Sequence, residues 1–199
     1  MPDWLPLLGF SIAGSVTPGP NVLMVAASAA RHGWRGTMPH MLGITAGFTL
    51  MLVLVGLGLA GPFAASTTLH AVLRWVGAAW LLWLAWKIAS APPPGEGPAG
   101  GKARPPLGFV GAALFQWVNP KAWMLATAAV PTFTRPGEPM LPQVLAIAAA
   151  FGLVSMPCLL VWAGIGEGAG RLLSSGRRLR AFNLFMAALL VASLVPMLR

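Results

Sequence analysis

Charge is what this sequence has least of, and acidic charge above all. Only 9% of its 199 residues are charged, and four are acidic: Asp3, Glu96, Glu138 and Glu167. An average soluble domain has about a quarter of its residues charged, so the deficit excludes that class. Cysteine is nearly missing too. Cys158 stands alone, which excludes an intramolecular disulfide, a Cys-x-x-Cys redox pair and a thiolate metal cluster, and leaves a small packing residue. No basic residue precedes the first apolar run, so that run reads as a retained span and not as a cleaved signal peptide.

What is present points one way. The chain is 57% hydrophobic with a mean hydropathy of +0.75, which is the composition of an all-α integral membrane protein, the bilayer acting as its solvent. A net charge of +9 could suggest nucleic acid. The Lys and Arg residues lie in short segments between apolar runs, however, and that is a topology signal; no nucleic-acid partner is expected.

Six apolar spans fit, at about Trp4 to Ala30, His40 to Gly61, Leu69 to Ala91, Leu107 to Val130, Val144 to Gly166, and Ala181 to Leu198. Residues 91–106, rich in Pro and Gly without apolar periodicity, read as a linker. The organisation is a single transmembrane domain over 1–199: a first three-helix unit (1–90), a cytoplasmic linker (91–106) and a second three-helix unit (107–199). Arg31-His32-Gly33-Trp34-Arg35-Gly36 is a short interfacial loop, and Gly43 and Gly47 form a face that lets a helix come close. Pro157 predicts a kink in the fifth span.

Nine Lys and Arg residues lie in the loops after the first, third and fifth spans, against three on the other side (Arg74, Arg135 and Arg199). Both termini should face outward. Three spans per unit is an odd number, so if the units are repeats the second is inverted.

Two spans cannot be unbroken helices. Thr17-Pro18-Gly19-Pro20-Asn21 interrupts the first with two prolines and a glycine, and Gln116-Trp117-Val118-Asn119-Pro120-Lys121 interrupts the fourth. A break in hydrocarbon leaves backbone groups unpaired unless protein or a water-filled cavity surrounds it, so the breaks predict a site. Broken helices at corresponding places in inverted repeats are the usual plan of secondary transporters. Asn119 followed by Pro120 makes a good N-cap and first-turn pair, and Thr17-Pro18 or Gly19-Pro20 offers another. Two helix N-termini near the membrane centre would present free N–H groups to an anion such as a carboxylate. Lys121, ~21 Å into a core ~30 Å thick at ~1.5 Å per residue, adds a charge with no obvious acidic partner inside the membrane. The candidate substrate-binding residues are therefore Thr17, Pro18, Gly19, Pro20, Asn21, Gln116, Asn119, Pro120 and Lys121. Against this stands a structural reading in which Lys121 binds carbonyls freed at the break, and Asn21, Gln116, Asn119 and Thr17 satisfy the backbone there.

These residues also carry a resemblance. Thr17-Pro18-Gly19-Pro20-Asn21, Arg31-His32-Gly33-Trp34-Arg35-Gly36, Leu73-Arg74-Trp75-Val76-Gly77-Ala78-Ala79-Trp80-Leu81 and Asn119-Pro120-Lys121-Ala122, in that order, resemble the LysE/RhtB family of bacterial amino-acid exporters. Trp83-Leu84-Ala85-Trp86-Lys87-Ile88-Ala89 and Gln116-Trp117-Val118-Asn119 are similar to its cysteine/O-acetylserine branch. The resemblance implies a secondary exporter in the inner membrane, coupled to the proton gradient, with a small amino acid and protons as partners, no cofactor, no bound metal and no enzymatic activity. A homo-oligomer stays open. The chain departs from the pattern at Trp80, where Tyr is common, and in the fifth span, where many relatives carry an acid and this chain has Ser155 and Cys158. Those departures speak against a carboxylate as proton carrier and against lysine or arginine as substrate, and for a neutral amino acid. A metal-cation exporter would draw on Met38, His40 and Met41; an intramembrane enzyme would need a central acid or base.

Overall fold

A computed structural model describes residues 3–59, 61, 66–91, 107–172 and 176–195. The linker expected at 91–106 lies, apart from Ala91, outside the described residues. Every regular element among those described is helical. In chain order they are α1 (Trp4–Val16), α2 (Pro20–Leu54) with a π-turn at its end (Val55–Leu59), α3 (Thr67–Ala89), α4 (Phe109–Phe115) with a 3-10 turn (Gln116–Val118), α5 (Pro120–Phe133), α6 (Met140–Leu172) and α7 (Gly176–Ala192).

Three stretches are long and apolar enough to cross a membrane, Pro20–Leu59, Ala71–Ala89 and Met140–Leu172. Trp4–Val16 and Phe109–Val118 are apolar but shorter, because each stops at a proline-containing break. The outer surface is itself apolar: Leu5, Trp75, Val110, Leu114 and Leu153 are all at least 63% exposed. A surface of this kind suits lipid, not water.

The six-residue loop expected around Arg31 is a single-residue break. Gly33 alone leaves the helical region (φ 70, ψ 167) and divides α2 into two limbs, 20–32 and 34–54; its positive φ is one that glycine adopts without a Cβ penalty. The limb that starts at Trp34 is capped from a distance, since the Trp34 N–H donates to Glu167 Oε2 at 2.9 Å while Arg171 pairs with the other carboxylate oxygen. A carboxylate at a helix start also complements the dipole. Pro157 does not interrupt α6, which runs through it as one helix.

The glycine face on α2 packs as expected. A Cβ on Gly47 would come within 2.6 Å of Ala113 Cα, and one on Gly43 would overlap the Phe109 carbonyl oxygen, so α2 and α4 touch backbone to backbone. Gly166 and Gly170 of α6 meet the backbone of Ala26 and Ala30 in the same way.

Two buried cores result. One joins the first limb of α2 (Val22 to Ala29) with α3, α4 and α7. The other joins α1 (Leu7) with α5 (Trp123, Ala126) and the later part of α2, and edge-on ring contacts link Phe10, Phe133, Phe151 and Phe48 through it at 5.3–6.1 Å. α6 contributes to both. Each broken stretch thus has one half in either core: α1 and α5 in the second, the first limb of α2 and α4 in the first.

Candidate functional site

The breaks form because the sequence leaves no alternative. In a continuous helix the carbonyls of Gly14 and Val16 would accept from residues 18 and 20, both prolines without an N–H. α1 therefore ends at Val16 with Thr17 as its cap, and α2 restarts with Gly19 extended (φ −174, ψ 177) and Pro20 in the first helical position. At the other break α4 tightens into the 3-10 turn at Gln116–Val118, Asn119 is extended, and Pro120 opens α5.

The freed carbonyls of the first break find partners far along the chain. The indole N–H of Trp162 donates to Val16 O at 3.1 Å, and Lys121 Nζ donates to Thr17 O at 2.5 Å. Thr17 also folds its own hydroxyl back onto Ala13 O. The second break is closed locally. Asn119 Oδ1 accepts the Lys121 backbone N–H at 3.2 Å, which is the N-cap that the sequence predicts, and Trp123 Nε1 donates to Trp117 O at 2.9 Å. One pair ties the breaks together: Asn21 Nδ2 donates to Gln116 Oε1 at 2.9 Å, Gln116 Nε2 donates back to Asn21 Oδ1 at 3.2 Å, and the same Nε2 reaches Ala112 O at 2.9 Å.

A small, partly open cavity of about 50 Å³ opens between the two cores at this point. Of the nine residues singled out from sequence, Gly19, Asn21, Asn119 and Lys121 line it. Thr17 joins them through its carbonyl. Gln116 is fully buried behind Asn21, with its amide occupied. Pro18, Pro20 and Pro120 shape the breaks without lining the cavity. Gly19 lets the lysine lie close: a Cβ there would stand 2.8 Å from Lys121 Cδ and 3.2 Å from Nζ, so the side chain would have to shift. The remaining wall is largely apolar, with Val22, Ile44, Phe48, Leu125 and Leu159.

Sequence reasoning missed Trp162, which reads as one more apolar-span tryptophan; its indole is spent on the Val16 carbonyl, which lacks a helical donor because residue 20, on another helix, is proline. It also missed Thr45, whose hydroxyl donates to Ser155 at 3.4 Å. Ser155 itself lines the cavity. His40, 2% exposed, keeps both ring nitrogens without a hydrogen-bond partner among the described residues, and no group of three His, Cys, Asp or Glu side chains that could hold a metal ion occurs among them.

The arrangement can hold a small anionic group. One ammonium, two adjacent helix starts and a largely apolar wall meet in one small cavity, and no carboxylate is among its lining residues. The profile of the LysE type translocator family matches residues 12–194. Among curated proteins, the cysteine/O-acetylserine efflux protein of Salmonella typhi is 33% identical over 185 residues, covering 92% of this chain and 90% of the relative. That of Escherichia coli (strain K12) is 30% identical over 184 residues with the same coverage. No solved structure matches the chain.

Proposed function

The chain belongs to the LysE type translocator family, and from that premise we propose that it is a secondary exporter of small neutral amino acids or close derivatives, of threonine/homoserine or cysteine/O-acetylserine kind, across the bacterial inner membrane, driven by the proton gradient. The observation that carries this reading is the position of Lys121, in the cavity beside the helix starts at Pro20 and Pro120. Its ammonium rests on the Thr17 carbonyl at the C-terminal, electronegative end of α1. A substrate carboxylate is the stronger acceptor, so Lys121 exchanges the carbonyl for it, and the positive dipole ends of the two helix starts complete the cradle. The exchange frees the end of α1, which couples occupancy to movement of that half-helix.

The proposed architecture is six spans as two inverted three-helix repeats with both termini outside. α1 with the first limb of α2 is the first span, and α4 with α5 the fourth. Two contacts support the sidedness. Asp3, before α1, pairs with Arg135 after α5 at 3.3 Å, and Glu167 near the end of α6 caps the limb that starts at Trp34. Each joins segments that the arrangement assigns to one face. The crossing of halves between the two cores, α1 with α5 and α4 with the early part of α2, is what antiparallel broken spans would give.

The test is binding of a carboxylate substrate beside its amide analogue, in wild type and in Lys121→Ala. Wild type prefers the carboxylate, and the variant loses that preference, with affinity falling roughly 30- to 1000-fold, the equivalent of about 2 to 4 kcal/mol for a charge-assisted pair in a partly dry site. Lys121→Arg retains part of the binding. Equal discrimination by both proteins would mean that Lys121 serves only the Thr17 carbonyl.

A further inference from the structure

Beyond the carboxylate, an exporter must read the rest of its substrate, and a buried hydroxyl in the cavity has the free capacity to do so. Hydroxyls on these helices mostly fold back onto the carbonyl one turn earlier, as Ser11 does onto Leu7, Thr37 onto Gly33, Ser90 onto Trp86, Thr127 onto Trp123 and Thr134 onto Val130. This habit is the ordinary fate of Ser and Thr inside a helix. Ser155, in the middle of α6, does not follow it. It is 7% exposed, lines the cavity, and has a single contact, accepting from the Thr45 hydroxyl at 3.4 Å. That is long for an O–H···O bond, whose usual length is about 2.7–2.8 Å.

A serine hydroxyl has one proton to donate and two acceptor sites. Thr45 takes one acceptor site loosely, and the Ser155 proton has no acceptor among the described residues. A buried donor left open is uncommon enough to call for a reason. Its surroundings supply one. Leu159, one turn along α6, lines the same wall, and Ile44, beside Thr45 on α2, lines the facing one, so Ser155 is a lone donor set in an apolar patch. The other polar liners are engaged, Asn21 with Gln116, Asn119 with the α5 cap and Lys121 with Thr17, except Ser15 on α1, which is less buried.

We propose that Ser155 is a specificity-determining residue that donates a hydrogen bond to an oxygen on the substrate's side chain, with Thr45 as the positioning residue that turns its proton into the cavity. The inference rests on the exporter reading and narrows the substrate class to small amino acids carrying a hydroxyl or ester oxygen. Their apolar isosteres leave the Ser155 donor unpaired and are rejected, since a site built to bond a polar group discriminates strongly against its absence.

The test is competitive uptake in proteoliposomes holding the full-length protein, with two isosteric pairs, serine against 2-aminobutyrate and homoserine against norvaline. Wild type favours the oxygen-bearing member by about tenfold or more, and Ser155→Ala brings the ratio to within about threefold of unity. Thr45→Val lowers the ratio by a smaller factor, because Ser155 remains but its proton is no longer directed. A ratio is insensitive to how much variant protein folds or inserts, so a merely structural role would not move it. Ser15→Ala is measured in parallel. If wild type does not discriminate, if Ser155→Ala leaves the ratio unchanged, or if Ser15→Ala alone abolishes it, the assignment is overturned while amino-acid export stands. If no amino acid competes in wild type, the exporter reading fails and this inference with it.

Discussion

The two breaks look alike in sequence, each with at least one proline, a small or amide residue and a restarted helix, but they are held in different ways. The one before α5 is closed by its own neighbours: Asn119 caps the Lys121 N–H, the 3-10 turn tightens the approach, and Trp123 serves the carbonyl of Trp117 six residues earlier. The one after α1 is held by residues more than 100 positions away, Lys121 on Thr17 and Trp162 on Val16. A locally closed break is a fixed point. A break closed by tertiary contacts is only as firm as those contacts, and one of them is the very group that would bind substrate. On that ground α1 is the half-helix expected to move more easily, and α5 the one expected to stay in place.

Three substitutions would break or sharpen this contrast. The largest effect is expected from Asn21→Leu, which removes the link between the breaks and leaves the Oε1 of the fully buried Gln116 without its donor. An unsatisfied buried polar group costs about 1–3 kcal/mol, and the loss shows as a lower thermal midpoint of the detergent-solubilised protein. A midpoint unchanged from wild type would mean that the pair carries no coupling. Next comes Asn119→Ala, which removes an N-cap worth typically about 1 kcal/mol; Asn119→Ser should restore most of it, since serine caps comparably. If the second break is locally closed, the midpoint falls without any gain in labelling of a cysteine placed at Val16. The smallest effect on stability belongs to Trp162→Phe, about 0.5–1.5 kcal/mol for one hydrogen bond. Its signature is selective: a cysteine at Val16 becomes more reactive toward a small thiol reagent, whereas one at Val118 does not. Equal gains at both positions would remove the distinction between a movable and a fixed break.

Much of the site was legible because its causes are local. Proline cannot donate, so the positions of Pro18, Pro20 and Pro120 predict where helices stop and restart, and Asn119 before Pro120 predicts a cap that the structure contains. The close packing at Gly43 and Gly47 was legible for the same reason, since only small residues permit backbone contact. Gln116 reads equally well from sequence as a ligand group or a structural amide, and the structure finds its capacity occupied by Asn21 and Ala112. Trp162, Thr45 and the free donor of Ser155 carried no signal of their own, because tryptophan and hydroxyl side chains in an apolar span have the same appearance whether they pack, back-bond or face a cavity.

The sequence by itself determined the solvent of this protein, the places where its helices break and the family it belongs to. Those follow from composition, from the missing N–H of proline and from ordered motifs, none of which needs a partner in space. Only the tertiary structure decided what closes each break and which side chains share the cavity. Hydrogen-bond partners separated by 95 residues, as Asn21 and Gln116 are, or by 146, as Val16 and Trp162 are, meet only once two cores have formed and set the half-helices against each other. A donor's role depends on whether an acceptor lies within about 3 Å of it, and that distance is a property of the packed chain.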